Sequence, residues 1–278
     1  ISDRIYLGAT LGVSMVDYNR YSEYREADAI GDIYILENDR YIKGAGFDIK
    51  LGAIFRPFKY SPFKIGVSVH TPTWYNLTEY SSATITDPYG KSYCTTSSDL
   101  YNGMFVVDSR LRTPWRFNAS MAYTFGSNFA LDAEYEYADY TKSRFLGRDA
   151  VSKAQNEEFV CNMKAQHTVR VGAEINAEKF AVRAGYNYIT APFANDAYKY
   201  IYNASVADTS TDYINRFGKN IVTVGLGWRD ALFYLDFAYK LELQKSEFYP
   251  FYDMDYPNPG ATVNSVNHSV VATIGMRI

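Results

Sequence analysis

The side chains that could carry out catalysis are few and scattered along this chain. Its 278 residues include only 3 His, namely His70, His167 and His268. A nucleophilic hydrolase needs a base and an orienting group within hydrogen-bond reach of the nucleophile, and no spacing here singles out such partners. The spacings typical of zinc sites, phosphate loops and dinucleotide-binding folds are also missing. We therefore predict no enzyme, no cofactor and no metal site.

Basic side chains offer a different chemistry, because arginine and lysine can hold a carboxylate group. Five of them lie on the polar faces of predicted strands: Lys50, Arg56, Arg116, Arg170 and Arg183. Acidic residues such as Asp48, Glu134 and Glu174 occur on the same faces. Pairing within the protein is the favoured interpretation of the five cations, and anchoring of a ligand carboxylate is the alternative.

Apolar and aromatic residues concentrate in the segments between the predicted strands, where they could form concave apolar sites with few polar anchors. Nine of them are candidates for binding a hydrophobic ligand: Trp74, Tyr75, Leu77, Tyr80, Met104, Phe105, Phe193, Tyr249 and Phe251. The alternative is that these residues pack the connecting segments against one another.

Ten segments must position these residues, and in each of them every second residue is apolar or aromatic and uncharged. The first runs from Ile5 to Met15. A period of two residues indicates a strand with one apolar face. The predicted strands cover residues 5–15, 47–55, 63–69, 115–125, 129–137, 169–175, 180–188, 222–228, 233–243 and 270–278.

A soluble sandwich also alternates apolar and polar residues, so the choice of fold depends on the lengths of strands and connections. With the residues that flank the apolar alternation, the strands are expected to run about 10–14 residues, close to a tilted bilayer crossing. Short connections at 57–62, 126–128, 176–179 and 229–232 alternate with long ones at 19–42, 72–113, 142–166, 192–217 and 246–266. This sorting is typical of bacterial outer-membrane barrels. The sequence therefore predicts an all-β fold, a transmembrane antiparallel up-and-down β-barrel in the bacterial outer membrane.

The polar faces agree with that interpretation. They mix the charged residues named above with glycines such as Gly8, Gly52 and Gly172. Small residues on the concave side of a barrel leave room for long charged neighbours. The chain is 17% aromatic with a net charge of -3, and aromatic residues near the ends of the outward faces are expected to form interfacial girdles. We expect no nucleic acid partner.

Cys94 and Cys161 both fall in long connections on the same side of the predicted barrel. An oxidising cell envelope permits a disulfide bond between them. The sequence does not determine whether the two connections approach each other, so a disulfide and two free thiols stay open as alternatives.

The chain resembles the FadL/TodX-type outer-membrane transporters for hydrophobic molecules, in their Bacteroidetes-like branch. The resemblance covers nearly the whole chain. It depends on the segments Ile65 to Trp74 (I-G-V-S-V-H-T-P-T-W), Thr113 to Asn118 (T-P-W-R-F-N), Leu131 to Tyr137, Gln166 to Glu174 and Arg183 to Tyr186.

The resemblance implies a barrel of about fourteen strands, plugged by a small N-terminal hatch, with a hydrophobic groove among the outer loops and a lateral exit through the wall. This sequence lacks the hatch and about four strands, so residues 1–278 are expected to be one domain, the C-terminal portion of a longer barrel. Ten strands is also an even number that could close alone. The expected function is uptake of hydrophobic small molecules, such as long-chain fatty acids, by passive diffusion.

A general diffusion porin, or a structural or adhesion barrel, are the alternatives to this function. The expected partners are a hydrophobic small-molecule ligand and the outer-membrane lipid and lipopolysaccharide, and the protein is expected to be a monomer.

Overall fold

Antiparallel strands make up most of the chain. The computed structural model describes residues 4–94, 100–101, 104–197, 213–249 and 260–276. Within them, 15 strands join a single sheet. The strands are β1 (Ile5–Ala27), β2 (Ile33–Phe55), β3 (Lys64–His70), β4 (Trp74–Thr86), β5 (Ser92–Cys94), β6 (Leu100–Tyr101), β7 (Met104–Arg112), β8 (Arg116–Phe125), β9 (Phe129–Asp139), β10 (Arg144–Phe145), β11 (Ala165–Ala177), β12 (Phe180–Ile189), β13 (Tyr213–Arg229), β14 (Phe233–Tyr249) and β15 (Ala261–Met276). The helix α1 (Ala150–Asn162) follows a 3₁₀ turn at Tyr140–Lys142.

Ten of these strands match the ten predicted segments, and we call them the wall strands. They pair as antiparallel neighbours in the order β1, β2, β3, β8, β9, β11, β12, β13, β14 and β15. Short turns join them pairwise at one end, which we call the lower end. The prediction of an all-β antiparallel barrel fold is confirmed.

The two faces of the wall differ as the alternation predicts. Along β8, the outward side chains of Phe117, Met121 and Phe125 are 47%, 56% and 49% exposed. The side chains between them, such as Asn118 and Ser120, are half-buried on the opposite face. Within the ten predicted segments the outward face is therefore an apolar surface, and the charged residues point inward.

The long connections contain far more regular structure than predicted. Residues 19–27 and 33–42 extend β1 and β2, so only residues 28–32 join these strands. The segment 72–113 contains β4 to β7, and 142–166 contains α1. The expectation of long loops was wrong here because backbone hydrogen bonds between strands continue after the apolar alternation fades.

An additional sheet therefore extends beyond the wall at its upper end. It consists of residues 16–27 of β1, residues 33–46 of β2, and the strands β4, β7 and β10, which pair in that order. We call it the upper sheet. It is continuous with the wall, because β1 and β2 run through both without a shift of register.

The wall is open between its first and last strands. In the part of the chain that the structure describes, β1 pairs with β2 and β15 pairs with β14, and no pairing joins β1 to β15. The ten strands do not close into a barrel by themselves, and two edges with unpaired backbone groups face the gap. No helix in the described ranges is long and apolar enough to cross a membrane.

Candidate functional site

Two Thr-Pro sequences interrupt neighbouring strands at the boundary between the wall and the upper sheet. β3 and β4 lie end to end along β2, separated by Thr71, Pro72 and Thr73. β8 and β7 lie end to end along β3 and β4, separated by Thr113, Pro114 and the residue that follows. Proline has no backbone N–H, so it cannot donate to a sheet ladder. We call these two interruptions the Thr-Pro junctions.

Threonine side chains replace backbone groups across the junctions. The hydroxyl oxygen of Thr71 accepts a hydrogen bond from the Ile49 N–H at 3.0 Å. The hydroxyl oxygen of Thr113 accepts one from the Thr73 N–H at 2.8 Å, and the Thr113 N–H donates to the Thr73 carbonyl at 3.1 Å. Thr73 is only 7% exposed, so its N–H needs a protein acceptor. The interrupted strands therefore stay joined.

The junctions also change which face each residue occupies. His70 lies opposite Lys50, and Trp74 lies opposite Phe47. Between these two pairs the chain advances four positions in β3 and β4 but only three in β2, so one extra residue is inserted. Because successive side chains in a strand point to opposite faces, such a shift reverses the alternation. Even-numbered residues point inward in β3 and outward in β4, and β8 and β7 differ in the same way.

The reversal gives the lower part of the upper sheet an apolar inner surface, which is continuous with the inner face of the wall. Just above it on the same face, Glu79 lies opposite Ile42 and forms an ion pair with Arg40. Tyr75 lies between Gly46 and Leu111, and Leu77 lies opposite Gly44. The inner positions of β1 and β2 add two more apolar residues at the same level. We call this surface the vestibule face; it consists of Val16, Ile42, Tyr75, Leu77 and Leu111.

Helix α1 borders the vestibule face on one side. Phe145 of β10 pairs with Leu111. The Phe145 ring stacks on Phe159 of α1 with 5.7 Å between ring centroids. The side chain of Asn156 fixes the contact, since it binds both the N–H and the carbonyl of Phe145.

Two glycines on β2 make room for the vestibule side chains. A Cβ atom at Gly46 would lie 2.4 Å from Cδ1 of Tyr75, and a Cβ atom at Gly44 would lie 2.2 Å from the backbone oxygen of Asn76. Both distances are far shorter than a normal contact. Only glycine therefore lets β4 and its side chains lie this close to β2.

A row of basic and imidazole groups lies directly below the vestibule face. Lys50, His70 and Arg116 are cross-strand neighbours on three adjacent strands and point inward. Lys50 Nζ lies 3.9 Å from Oδ1 of Asp48, which is 5% exposed. In the described ranges of the chain Arg116 forms no ion pair. Burial raises the pKa of the nearby Tyr140 hydroxyl, and the positive charge of Arg116 opposes that rise.

Lower in the wall, the cations are paired within the protein. Arg170 forms ion pairs with Glu134 and, at 3.4 Å, with Glu136. Arg183 bridges Glu174 at 2.6 Å and Asp236 at 2.9 Å, and so links β11, β12 and β14. The favoured interpretation of internal pairing thus describes Arg170 and Arg183.

Arg56 belongs to neither group. Its guanidinium carbon lies 5.2 Å from the centroid of the Tyr6 ring, at the lower end of the wall. Of the five basic candidates, only Lys50 and Arg116 therefore lie next to the vestibule face.

The nine apolar candidates are not brought together in one cluster. Tyr75, Leu77 and Phe105 lie on the inner face of the upper sheet, whereas Trp74, Tyr80 and Met104 lie on its outward face. The others lie elsewhere: Phe193 forms a bridge with Met163, Tyr249 is buried with its hydroxyl donating to Glu247, and Phe251 lies outside the described residues.

Sequence reasoning missed Ile42 and Leu111, because they fall in segments interpreted as long connections, and Val16, because it lies just past the end of the predicted strand 5–15. The G-x-G pattern at Gly44 and Gly46 and the two Thr-Pro sequences were the available signals.

The three histidines lie on different faces. His70 points inward, as described above. His167 and His268 lie on the outward face, where their Nδ1 atoms are 2.6 Å from the Tyr135 hydroxyl and 2.7 Å from the Tyr239 hydroxyl. Within the described ranges, no group of three His, Cys, Asp or Glu side chains could hold a metal ion.

The two cysteines lie in different elements. Cys94 ends β5 and Cys161 lies in the last turn of α1. Both are exposed free thiols, so the disulfide left open by the sequence is not formed in this structure.

Comparison with known proteins gives one informative result. No family model and no curated protein matches this chain. A solved structure described as the CymD monoaromatic hydrocarbon channel matches with a TM-score of 0.53 and 11% sequence identity, covering 99% of this chain and 68% of that chain. The chain has the β-barrel fold of that channel. At this identity the likeness shows the fold alone, and it agrees with the architecture expected of a FadL-type transporter.

Proposed function

We propose that this chain forms the major part of an outer-membrane channel through which hydrophobic small molecules, such as long-chain fatty acids, enter by passive diffusion. The observation that carries the proposal is the vestibule face. An apolar surface at the mouth of a polar lumen is suited to capture an apolar molecule before it meets the charged interior. The likeness to a channel that is named for monoaromatic hydrocarbons supports the same class of cargo.

The dimensions of the wall support a membrane location. Trp115 and Phe125 mark the upper and lower ends of the outward face of β8, with 48% and 49% exposure. Ten residues of strand span about 33 Å, or about 25 Å in height at the usual barrel tilt, which is the height of the apolar band in outer-membrane barrels. So many large exposed apolar side chains are rare on a soluble monomer.

The row beneath the vestibule face supports a cargo with an acidic head. Lys50 and Arg116 lie one row below the Thr-Pro junctions, where the head of a molecule with its tail on Leu77 would arrive. Arg116 lacks an ion pair in the described part of the chain, so its guanidinium is available to hold a carboxylate in a bidentate fork. Arg170 and Arg183 stabilise the wall instead.

The open edges of β1 and β15 support a longer barrel. Unpaired strand edges cannot be left in hydrocarbon, because backbone groups there must be satisfied internally. We propose that further strands of the same polypeptide close the wall and that the closed barrel acts as a monomer. The match covers 68% of the hydrocarbon channel, so the rest of that channel has no counterpart in this chain and is long enough to contain such strands.

An uptake assay tests the proposal. The complete protein is expressed in bacteria that lack their own hydrophobic channel, and uptake of a labelled long-chain fatty acid and of the corresponding neutral alcohol is measured. Leu77→Asp places a charge on the vestibule face and should lower uptake of both molecules about tenfold. Asn76→Asp adds the same charge to the outward face of the same strand and should leave uptake unchanged.

The substitution Arg116→Gln tests recognition of the acidic head of the cargo separately from binding of its apolar tail. It should lower uptake of the fatty acid but not of the alcohol, because only the acid presents a carboxylate. Equal uptake by wild type and Leu77→Asp would contradict the proposed function. Swelling of liposomes in small sugars, without saturable uptake of either lipid, would indicate a general porin instead.

A further inference from the structure

The outward face carries an unusual group of residues beside the Thr-Pro junctions. Phe47, Trp74, Arg112 and Arg144 are successive cross-strand neighbours on β2, β4, β7 and β10. Arg110 lies two positions from Arg112 on the same face of β7. We call the group of Trp74, Arg110, Arg112, Trp115 and Arg144 the arginine–tryptophan patch.

The patch concentrates positive charge, and its arginines form no ion pair in the part of the chain that the structure describes, although Glu157 lines the same pocket as Arg144. Arg112 and Arg144 lie directly opposite each other, an arrangement that like charges normally make unfavourable. In the described residues, neither Arg110 nor Arg112 forms an ion pair. Two acids on the same face are already engaged, since Asp108 accepts from the Thr78 hydroxyl at 2.7 Å and Asp139 accepts from the Thr141 hydroxyl at 2.6 Å.

One arginine of the patch is held in place by backbone groups. Nη1 of Arg144 donates to the carbonyl oxygens of Thr141 and Ser143, each at 2.6 Å. These bonds use one nitrogen of the guanidinium, which has five N–H donors in total. The remaining donors are available to an anion.

The height of the patch identifies the layer that it faces. Trp115 is 48% exposed at the upper end of the apolar band, where tryptophan marks the boundary between hydrocarbon and headgroups. Trp74 is 41% exposed and lies level with Arg112, its cross-strand neighbour. Arg112 and Arg110 lie three and five positions beyond Trp115 along the same path. This places them about 8 Å and 13 Å higher at the usual strand rise and tilt, which is the headgroup layer.

We propose that the arginine–tryptophan patch binds a phosphate-bearing headgroup of an outer-leaflet lipid. Arginine is suited to phosphate because its planar fork offers two parallel N–H donors. Such an anion would relieve the repulsion between Arg112 and Arg144, while the Trp115 indole packs on the acyl region below. The proposal rests on the membrane location given above, and it adds a specific lipid contact on the outside of the wall.

The test uses the complete protein in detergent micelles and measures retention of lipid A by native mass spectrometry. Arg110→Gln together with Arg112→Gln should lower the affinity for bis-phosphorylated lipid A about 25-fold, or about fivefold for each charge at a membrane surface. The matched control is Lys43→Gln, which removes one charge from the same face, where Lys43 lies opposite Asp17. This control should retain lipid like the wild type.

Two further measurements show whether the patch recognises the phosphate groups of the lipid. Dephosphorylated lipid A should bind wild type and the double glutamine variant equally, and millimolar inorganic phosphate should not displace the bound lipid. If the double glutamine variant does not fold, judged by heat-modifiability in a gel, the double lysine variant replaces it and should keep part of the affinity. Equal retention of lipid A by wild type and the folded double variant would overturn the proposal, as would displacement by inorganic phosphate.

The failure of this inference differs from the failure of the proposed function. A wild type that binds phosphorylated and dephosphorylated lipid A equally, with intact fatty-acid uptake, would reject the patch alone. Recovery of the wild type outside the membrane fraction, with neither uptake nor lipid binding, would reject both.

Discussion

The wall and the upper sheet share the strands β1 and β2, yet their inner faces differ in chemistry where they meet at the Thr-Pro junctions. Below the Thr-Pro junctions the inner face carries Lys50, Arg170 and Arg183, and above them it carries Tyr75 and Leu77. β2 passes through both regions without interruption. The difference therefore comes from the partner strands, in which one inserted residue reverses the alternation.

The two regions are also held together differently. Ion pairs cross the inner face of the wall, as Arg183 does between Glu174 and Asp236. The upper sheet has one such pair between β2 and β4, Arg40 with Glu79 at 2.6 Å, and depends in addition on close packing over Gly44 and Gly46. We expect substitutions of packing residues to disturb the upper sheet and substitutions of charges to disturb the wall.

The largest effect is expected where the upper sheet is most tightly packed. Gly44→Val places a Cβ atom against the backbone oxygen of Asn76, which cannot move without breaking the pairing of β2 with β4. We expect a loss of about 3 kcal/mol or more in the free energy of unfolding, measured by urea unfolding in micelles. Gly8→Val is the control, because nothing lies within 4 Å of a Cβ there. An equal loss in both variants would show that close packing over Gly44 is not what stabilises the upper sheet.

A smaller effect is expected in the ion network of the wall. Arg183→Met leaves Glu174 and Asp236 without their shared cation, and this should cost about 2 kcal/mol because charged groups lose their partner. The measurement is the same urea titration. If Arg183→Met proved as stable as the wild type, the stability of the wall would not depend on its charges.

A substitution at the Thr-Pro junctions should lower the free energy of unfolding by less than a disruption of close packing and by more than the loss of an exposed polar contact. Thr113→Val keeps the shape of the side chain but removes the acceptor of the buried Thr73 N–H. We expect a loss of about 1–2 kcal/mol. Thr78→Val, which removes a hydroxyl that donates to the exposed Asp108, should cost much less. A reversed order would show that the hydroxyl of Thr113 does not join the strands.

The smallest effect is expected at the lower turns. Lys179 Nζ lies 2.8 Å from Asp230 Oδ1, and this hydrogen bond lowers the pKa of the Asp230 carboxyl. A lowered pKa in the folded state stabilises the protein above the ordinary pKa of aspartate, and the contribution is lost as the pH falls through the lowered value. Lys179→Met should therefore change the stability only slightly at neutral pH, and the difference should vanish in acid. A difference that grew in acid would contradict this sign.

The sequence located the lower part of the fold well. The predicted strand 115–125 is observed as Arg116–Phe125, and 180–188 is observed as Phe180–Ile189. The predicted strand 5–15 instead continues to Ala27. Lower ends are predictable because tight turns follow the apolar alternation directly. Upper ends are not, since strands that leave the apolar layer lose the alternation while their backbone pairing continues.

The candidate site was predicted only in part. The aromatic residues after β3 were singled out as one group, but Trp74 and Tyr75 lie on opposite faces. A change of face depends on the register between strands that are distant in sequence. Local residue spacing carries no record of that register, although Pro72 marks where it shifts.

The sequence by itself determined the wall, because a period of two along one strand is a local property that needs no knowledge of its neighbours. The tertiary structure alone decided which side of β4 and β7 faces the interior, which of the five basic candidates form ion pairs within the protein, and that β1 and β15 stay apart. These features depend on hydrogen-bonded register and on contacts between strands far apart in the chain, and a shift of one residue is enough to exchange inside and outside.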